Sequence, residues 1–314
     1  MSSKKETKIA ELCGGNSADA RPRHPEWLRR PVPKVGQGRR VQEVLRKGGL
    51  HTVCDEAACP NRGECFCRGT ATFLILGDHC TRNCRFCNVA HGTAPKPDPD
   101  EPARLAEAVR TMGLSHVVVT SVTRDDLADG GAGQFARTIR LLKQQLPGVT
   151  VEVLVPDFGG ALNLVDIVME ARPDVFNHNI ETVPRVYPLV RPQADFDRSL
   201  KVLERAAELV RENVVTKSGM MVGLGETDEE VVEAMRKLRG VQCRVLTIGQ
   251  YLQPARSAFP VRRYVTPDQF SAFEREGKAL GFDTVVAGPF VRSSYRAAEV
   301  FDDSLEHGSD REHA

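Results

Sequence analysis

Cys80-Thr81-Arg82-Asn83-Cys84-Arg85-Phe86-Cys87 begins three residues after the apolar run 71–76, which is typical of a buried strand. The cysteines have the spacing C-x3-C-x2-C, and one short loop can bring three such thiolates around a single 4Fe–4S cluster. A cubane has four irons, so one iron keeps no protein ligand and can bind and activate a small molecule. An electron carrier would normally close that position with a fourth cysteine. The stretch therefore predicts a cofactor site at the end of a strand.

A second group of cysteines lies just upstream. Cys54, Cys59 and Cys65 have the spacing C-x4-C-x5-C, and the two groups together with Cys67 place seven of the nine cysteines within the 34 residues 54–87. A secreted disulfide scaffold would be shorter and would spread its cysteines, whereas clustered thiols in a reducing compartment indicate metal ligands. Below, the upstream triplet is Cys54, Cys59 and Cys65, and the downstream triplet is Cys80, Cys84 and Cys87.

Near the other end of the chain stands Arg292-Ser293-Ser294-Tyr295-Arg296, here called the RSSYR segment. Together with both cysteine triplets and the aromatic Phe86, it makes the chain resemble the lipoyl synthase family of the radical S-adenosylmethionine (SAM) superfamily. The resemblance extends from about Trp27 to Arg296. It implies an enzyme that inserts two sulfur atoms, at C6 and C8, into an octanoyl chain held on a lysine of a small carrier domain.

The resemblance assigns a 4Fe–4S cluster to each triplet. The downstream cluster would chelate SAM at its open iron, and one electron would then release a 5′-deoxyadenosyl radical. The upstream, auxiliary cluster would supply both sulfurs and be consumed. Its fourth ligand would be Ser294, with Ser293 as the alternative, and Ser294 would act in catalysis because an alkoxide is easily displaced. Arg292 and Arg296 would favour the deprotonated oxygen. In the competing interpretation, a serine only caps a helix that starts at Tyr295.

The run Gly219-Met220-Met221-Val222-Gly223-Leu224-Gly225-Glu226 is a candidate for contact with SAM. It is similar to the superfamily motif G-x-I-x-G-x-x-E at the adenine, with Met221 in place of Ile. Gly223 and Glu226 would be its cofactor contacts, since glycine lets the backbone approach a flat ring closely. A plain strand-to-helix turn capped by Thr227 explains the same residues equally well.

Two other loops at strand ends carry candidate SAM contacts. The loop 120–131 lies where the superfamily binds the amino group of SAM, and Asp129 or carbonyl groups near Gly130 would accept it. A solvated loop is the alternative there. After the fourth predicted strand, Asn179 and Glu181 would hold the ribose or the methionine end, and His178 is interpreted as a packed histidine.

Strand-like and helical patterns alternate along the rest of the chain, which argues for parallel β-α-β units. We therefore predict an α/β fold: a partial (β/α)6 TIM-type barrel with an N-terminal cluster-binding extension and a C-terminal extension. In such barrels the chemistry sits at the carboxyl ends of the strands, where the downstream triplet falls. The strand-like runs are 73–76, 117–122, 149–155, 175–177, 214–223 and 245–252.

Helices are predicted between these runs. Leu105, Ala108, Val109 and Met112 repeat at i, i+3, i+4 and i+7. The stretch 227–230, Thr-Asp-Glu-Glu, is a capping box whose helix ends at Gly240, and Thr266-Pro267 opens another helix.

Four segments are predicted along the chain. They are a disordered basic tail (1–25), an N-terminal extension with the auxiliary cluster (26–69), the radical SAM partial barrel (70–285), and a C-terminal extension with the RSSYR segment and an acidic tail (286–314). Residues 1–50 carry 12 Lys and Arg against 5 Asp and Glu, and residues 297–314 carry six acids and one Arg. Such ends are typical of solvated tails, although the basic one could also dock a partner.

A formal net charge of +1, a hydrophobic content of 41% and no long apolar run predict a soluble protein that binds neither nucleic acid nor membrane. The first lysines have no apolar core after them, so we expect no secretory signal and a cytoplasmic location. The resemblance implies three kinds of partner: octanoylated carrier domains of 2-oxoacid dehydrogenases and of the glycine cleavage system, an electron donor, and an iron–sulfur cluster assembly protein.

Three other functions fit part of the pattern. A two-cluster electron carrier would need about eight thiolates or equivalents. A zinc-stabilised interaction module would use paired C-x2-C hooks closed to four ligands. A methylthio-transferring radical SAM enzyme acting on RNA would carry a further RNA-binding domain. Of the remaining cysteines, Cys67 fits neither triplet, and Cys243 is interpreted as a buried small apolar residue.

Overall fold

The computed structural model describes residues 24–29, 38–210 and 214–309. Two compact units divide the chain, Met1–Arg30 and Pro31–Ala314. In the first unit, the described residues contain a short 3-10 helix, Glu26–Leu28. Apart from residues 24 and 25, the basic tail predicted at 1–25 lies outside the described residues, as do Cys13 and the last five residues of the acidic tail.

In the described part of the second unit, strands and helices alternate along most of the chain. The strands are β1 (His51–Thr52), β2 (Thr72–Ile75), β3 (His79–Cys80), β4 (Ala90–His91), β5 (His116–Ser121), β6 (Thr150–Leu154), β7 (Val175–Asn177), β8 (Val215–Val222), β9 (Val245–Gln250) and β10 (Thr284–Gly288). The α-helices are α1 (Arg39–Gly48), α2 (Val53–Glu56), α3 (Arg62–Cys67), α4 (Glu101–Met112), α5 (Ala132–Gln145), α6 (Leu162–Glu170), α7 (Tyr187–Val190), α8 (Phe196–Glu208), α9 (Asp228–Gly240), α10 (Pro267–Ala279) and α11 (Ala297–Ser309). None of the helices in the described ranges combines the length and the apolar composition that crossing a membrane requires.

Eight of the strands form one sheet in the order β1-β2-β5-β6-β7-β8-β9-β10. From β2 to β10 every neighbouring pair is parallel, and β1 pairs with β2 in the antiparallel sense. Among the described residues the edge strands β1 and β10 do not pair with each other, so the sheet stays open. The predicted α/β class with an open, mostly parallel sheet is confirmed, and the six predicted strands are all present.

β10 is a further parallel strand that the sequence pattern did not predict. It pairs with β9 residue by residue, from Thr284 opposite Val245 to Gly288 opposite Gly249. Its sequence is a short Thr-Val-Val-Ala-Gly run followed directly by Pro289, which is a weak strand signal by itself. The strand forms because β9 offers an unpaired edge. The predicted boundary between the barrel segment (70–285) and the C-terminal extension falls inside this strand.

The predicted helices form for the expected local reasons. In α9 the Thr227 hydroxyl accepts the N–H of Glu230, and the Glu230 carboxylate accepts the N–H of Thr227, which is the predicted capping box. The Thr266 hydroxyl caps α10 by accepting the N–H of Gln269, with Pro267 as the first helical residue. In α4, Leu105 and its predicted partners Ala108 and Val109 face the core.

α11 packs at the amino ends of the strands. Its Val300 belongs to a buried cluster with Val175, Val215 and Val245, which are the first residues of β7, β8 and β9. The preceding strand, β10, ends at the opposite edge of the sheet, where all parallel strands have their carboxyl ends. The chain between β10 and α11, which contains the RSSYR segment, therefore runs back from the carboxyl edge to the amino edge.

Candidate iron–sulfur site

The downstream triplet lies in a loop after the carboxyl end of β2. Cys80 is the last residue of β3, which pairs in parallel with β4 so that Cys80 lies opposite His91. The N–H of Gly92 donates to the carbonyl oxygen of Cys80 over 2.9 Å, and the N–H of Cys87 donates to that of Cys84 over 3.0 Å. These backbone bonds close the loop and limit the positions that the three thiols can take.

Backbone N–H groups already point at two of the three sulfurs. Those of Arg82 and Thr123 lie 3.4 Å and 3.3 Å from Cys80 Sγ. The N–H of Val89 lies 3.5 Å from Cys87 Sγ. Hydrogen bonds of this kind favour a thiolate over a thiol and are among the features that tune iron–sulfur clusters. The donor set therefore fits sulfurs that bind iron as thiolates.

Cys84 shares its surroundings with charged groups from beyond β7. Burial raises the pKa of the Cys84 thiol, the Arg191 guanidinium opposes that rise, and Glu181 and Cys80 add to it. Burial also raises the pKa of the Cys87 thiol, the backbone hydrogen bond from Val89 opposes that rise, and Cys84, Cys80 and Glu181 add to it. The fold thus brings the three predicted ligands into one electrostatic environment with a carboxylate and a guanidinium.

No three His, Cys, Asp or Glu side chains of the described residues are arranged to hold one metal ion. A cubane cluster makes a different demand, because each thiolate binds its own iron. Three thiols on one closed loop, with N–H donors at two of their sulfurs, fit that demand.

Arg82, between the first two cysteines of the loop, ties it to two neighbouring loops. Its guanidinium donates to both carboxylate oxygens of Asp125, over 2.7 Å and 2.8 Å, and lies 2.7 Å from Asp157. Asp125 follows β5, and the fully buried Asp157 follows β6. Although burial opposes it, the pairing with Arg82 lowers the pKa of Asp157 to about 2. This contact was not predicted, since its partners are distant in sequence.

The upstream triplet lies on two short helices and the turn between them. Cys54 belongs to α2 and Cys65 to α3, and the N–H of Cys59 donates to the carbonyl oxygen of Cys54 over 3.1 Å. Burial raises the pKa of the Cys54 thiol to about 12, a hydrogen bond from the Thr72 backbone opposes the rise, and Cys59 and Cys65 add to it. The structure therefore brings these three thiols together as well. Of the other cysteines, Cys243 is buried, as expected.

The RSSYR segment packs against α3, next to the upstream triplet. The Tyr295 hydroxyl donates to Glu64 Oε1 over 2.8 Å, and the Arg296 guanidinium lies 3.8 Å from the same oxygen. Nearby, Asn61 Nδ2 donates to the carbonyl oxygen of Phe290 over 2.7 Å. Two segments that are 229 to 231 residues apart in sequence thus meet at α3.

The two serines of the RSSYR segment have different surroundings. Ser293 Oγ donates to Asn179 Oδ1 over 2.7 Å. In the part of the chain that the structure describes, no hydrogen bond involves Ser294 Oγ. α11 begins at Ala297, so the interpretation in which a serine caps a helix starting at Tyr295 is wrong. The assignment of Ser294 as a cluster ligand stays a prediction.

Two glycines of the central strands leave room for this segment. A Cβ at Gly219 would lie 2.4 Å from Ser293 Oγ and 2.7 Å from Asn179 Oδ1. A Cβ at Gly249 would lie 2.1 Å from the carbonyl oxygen of Val291. At Gly249 the close atom belongs to the backbone, so that position needs glycine, whereas at Gly219 the facing side chains of Ser293 and Asn179 would have to move. Gly219 belongs to the run 219–226 that was predicted to contact the adenine, and its missing side chain also leaves space for the RSSYR segment.

Two of the predicted SAM contacts are carboxylates that bind backbone N–H groups. Asp129 accepts the N–H groups of Gly131 and Gly133, each over 3.0 Å, at the start of α5. Glu226 accepts those of Gly223 over 2.6 Å and of Leu224 over 2.9 Å, at the turn between β8 and α9. Both side chains hold turns at the carboxyl edge of the sheet.

The stretch after β7 brings two more predicted contacts together. Asn179 Nδ2 donates to Glu181 Oε1 over 3.2 Å. Burial raises the pKa of Glu181, and Arg191 opposes that rise. His178 is 1% exposed and its Nδ1 lies 2.8 Å from the carbonyl oxygen of Val155, so it is a packed histidine, as predicted.

Residues 74–238 match the family model of the radical SAM superfamily. The chain is 56% identical over 275 residues to a lipoyl synthase of Caldanaerobacter subterraneus subsp. tengcongensis, covering 88% of this chain and 96% of that protein. It is 54% identical over 276 residues to a lipoyl synthase of Methylococcus capsulatus, covering 88% of this chain and 85% of that one. A lipoyl synthase of Rubrobacter xylanophilus is 53% identical over 280 residues, with coverages of 89% and 87%.

Solved structures with much lower identity share the fold. The crystal structure of methylornithine synthase gives a TM-score of 0.53 at 13% identity, over 88% of this chain and 77% of that chain. The FeFe-hydrogenase maturase HydG from Carboxydothermus hydrogenoformans gives 0.52 at 17% identity, with coverages of 74% and 65%. The likeness to these two extends to the fold alone. On the family model and the relatives that match nearly its whole length, the chain belongs to the lipoyl synthase family of the radical SAM superfamily.

Proposed function

We propose that this chain inserts two sulfur atoms, at C6 and C8, into an octanoyl group held on a lysine of a carrier domain, and so completes the lipoyl group. The relatives named lipoyl synthase give the reaction class, and a radical SAM protein uses a 4Fe–4S cluster and SAM. When bound, these cofactors supply a carbon radical that takes hydrogen from an unactivated C–H bond, which no side-chain base can deprotonate. The chain itself must hold the cofactors and the substrate and exclude water.

The downstream triplet, in this proposal, holds the cluster that binds SAM. The backbone N–H groups at Cys80 Sγ and Cys87 Sγ support thiolate ligation there. The iron that no cysteine binds is left for SAM. Glu181 and Arg191 lie in the environment of Cys84 and would face what that iron binds.

Five residues are proposed to position SAM. Asn179 and Glu181 would contact it directly, because they lie at the carboxyl edge of β7 and Glu181 shares the environment of the downstream triplet. Asp129 and Glu226 would act through the turns that they hold, since their carboxylate oxygens bind backbone N–H groups. Gly223 would contribute backbone, as its φ of 102° excludes most other residues.

The observation that carries the proposal is the contact between the RSSYR segment and α3. It supports a second cluster on the upstream triplet with Ser294 as the fourth ligand, because Tyr295 and Arg296 fix the segment beside Glu64. The Ser294 hydroxyl makes no hydrogen bond among the described residues, so it is available to iron. An auxiliary cluster with one displaceable ligand suits a sulfur donor that is consumed.

The proposed partners follow from this reaction. They are octanoylated carrier domains of 2-oxoacid dehydrogenases and of the glycine cleavage system, an electron donor for the SAM cluster, and an assembly protein that restores the auxiliary cluster. We place the reaction in the cytoplasm, because reducing conditions keep six ligand thiols available.

Mass spectrometry of an octanoyl-lysine peptide after incubation with reduced protein and SAM tests the proposal. We expect a lipoyl product with the wild type and none with Cys84→Ala, which should also stop 5′-deoxyadenosine formation. Cys59→Ala should still form 5′-deoxyadenosine but insert no sulfur. Cys67→Ala is the matched control, since this exposed cysteine belongs to neither triplet. Lipoyl product from the Cys59 variant would show that the upstream triplet does not hold the sulfur source.

Variants of Ser294 test the fourth ligand. Ser294→Ala should lower cluster content in part, since three thiolates remain, and lower sulfur insertion much further. Ser294→Cys should retain the cluster yet slow turnover, because thiolate is the poorer leaving ligand on iron. Near-normal product from both variants would contradict the ligand assignment. If Ser293→Ala caused the loss instead, the ligand would be the neighbouring serine.

A further inference from the structure

The long connection between β9 and α10 carries cations that the site described so far does not use. Residues 251–266 form neither helix nor strand, and we call them the arginine loop. The loop follows the carboxyl end of β9, at the same edge of the parallel sheet as the downstream triplet. Its three arginines are Arg256, Arg262 and Arg263.

Hydrogen bonds fix the arginine loop in place and attach it to the cysteine loop. The N–H of Phe259 donates to the carbonyl oxygen of Arg85, between Cys84 and Cys87, over 2.8 Å. The Tyr251 hydroxyl donates to the carbonyl oxygen of Phe259 over 2.6 Å. A surface on this loop is therefore held at a set position relative to the downstream triplet.

The side chains of this surface are positively charged and exposed. Arg85, Arg256 and Arg262 are all exposed, and the Arg262 guanidinium lies over the Phe259 ring at 5.4 Å from its centroid. Within the described residues, no carboxylate contacts the side chain of Arg85 or of Arg256. Arg263 differs, since it is paired with Asp228 at 2.5 Å.

Carboxylates at the same edge of the sheet are engaged elsewhere. Asp125 binds Arg82, Glu226 binds backbone N–H groups, and Glu230 binds Arg185. Glu226 also lies 3.5 Å from the Arg263 guanidinium, whereas none of these three carboxylates contacts Arg85 or Arg256. Arg85 and Arg256, as exposed cations without a carboxylate partner among the described residues, attract acidic surfaces and increase the rate of encounter with them.

We propose that the arginine loop and Arg85 form the docking surface for an acidic protein domain that carries the octanoyl-lysine. This inference rests on the proposed function, because it names where the carrier binds. The attachment of Phe259 to the cysteine loop explains how a domain docked there presents its acyl-lysine to the downstream triplet. An acidic carrier is favoured over RNA because the surface offers separate cations around one ring that Arg262 already covers.

Steady-state kinetics of two substrates, measured with the assembly protein that restores the auxiliary cluster, test the proposal. One is an octanoylated, acidic carrier domain of a 2-oxoacid dehydrogenase, and the other is an uncharged octanoyl-lysine tripeptide. At low ionic strength, Arg256→Glu/Arg262→Glu should raise the KM for the carrier domain about tenfold or more and leave the KM for the tripeptide within about twofold. The difference should shrink as salt is added, since exposed charges are screened.

Two further variants make the result specific. Arg172→Glu is the matched control, because Arg172 is an exposed arginine before β7, at the amino edge of the sheet. It should leave both KM values unchanged. Arg256→Gln/Arg262→Gln should give a smaller rise for the carrier domain, and it replaces the Glu pair as the test if that pair fails to fold.

The possible outcomes separate the two proposals. If the wild type converts both substrates and the Glu and Gln pairs leave the carrier KM within about twofold, docking at the arginine loop is overturned and the function stands. An equal rise for carrier and tripeptide also overturns it, since the arginines would then affect the site itself. A short RNA is also added to the carrier reaction. If it inhibits the wild type, and Arg256→Glu/Arg262→Glu abolishes that inhibition without changing the KM for the carrier domain, the surface binds RNA and the docking proposal is overturned. If the wild type gave no lipoyl product from either substrate, that result would contradict the proposed function itself.

Discussion

The absence of a side chain at Gly219 makes room for the contact between Ser293 and Asn179. An added Cβ would lie 2.4 Å from Ser293 Oγ and 2.7 Å from Asn179 Oδ1, and both oxygens would have to move. We therefore expect Gly219→Ala to displace the RSSYR segment and release the auxiliary cluster. Iron should fall from about eight to about four atoms per chain, while SAM cleavage persists. Iron and sulfide assays, with quantified 5′-deoxyadenosine, measure both effects.

Gly240→Ala is the control for this prediction, because a Cβ at Gly240 meets nothing within 4 Å. It should keep the full iron content and the full yield of lipoyl product. Full iron and product in Gly219→Ala would show that the RSSYR segment does not need the Ser293 contact.

At the residue scale, the cysteine ligands are predicted from local spacing alone, and their binding of iron stays a prediction. Both triplets are short-range patterns, and the structure brings each of them together. Arg82 was not predicted, because its role depends on Asp125 and Asp157, which only the folded sheet brings to it. The role of Gly219 was not predicted for the same reason, since its neighbour Ser293 lies far away in the sequence.

At the scale of elements, Arg82 joins the loops after β2, β5 and β6. Lysine keeps the charge but cannot reproduce three hydrogen bonds from one planar group. We expect Arg82→Lys to loosen the cysteine loop and to cost about 2 kcal/mol of stability, as for a buried charged hydrogen bond. The cluster on the downstream triplet should be lost first, so SAM cleavage should fall with iron content. Anaerobic reconstitution followed by iron and 5′-deoxyadenosine assays tests this.

Arg198→Lys separates this effect from a general change near Asp157. Arg198 contacts Asp157 at 3.4 Å and is about one third exposed, so its replacement should have little effect on iron. Equal losses in both variants would mean that the charge around Asp157 matters, rather than the link to the cysteine loop.

Elements with local signals were predicted well, and elements that depend on a neighbour were not. The capping box at Thr227 and the apolar stripe of α4 are complete within a few residues. β10 has a short and ambiguous sequence, and it becomes a strand only through its pairing with β9. α11 begins two residues later than the competing helix interpretation required, at Ala297.

At the scale of the whole barrel unit, α11 covers a buried ion pair at the amino ends of the strands. Lys217 Nζ of β8 lies 2.9 Å from Glu152 Oε1 of β6, and neither side chain is more than 2% exposed. Asn177 donates to the same carboxylate over 3.0 Å. Ala297 and Ser304 of α11 line the narrow space beside the pair. The alternation of strands and helices predicted the sheet, but a helix across its amino edge depends on tertiary packing that no local pattern encodes.

Removal of one partner from this pair should be strongly destabilising. Lys217→Met leaves the buried Glu152 carboxylate without its lysine cation, with His116 Nε2 still 3.4 Å from Glu152 Oε2, and we expect it to lower the free energy of unfolding by about 3–5 kcal/mol. Glu152→Gln/Lys217→Met removes both charges and should recover most of that loss, because no uncompensated charge remains. The control is Lys143→Met, whose partner Asp174 is partly exposed, and this change should cost less than about 1 kcal/mol. Urea unfolding of the four proteins measures these differences. A double variant no more stable than Lys217→Met would show that the pair's packing beneath α11, rather than its charge, holds this end of the sheet together.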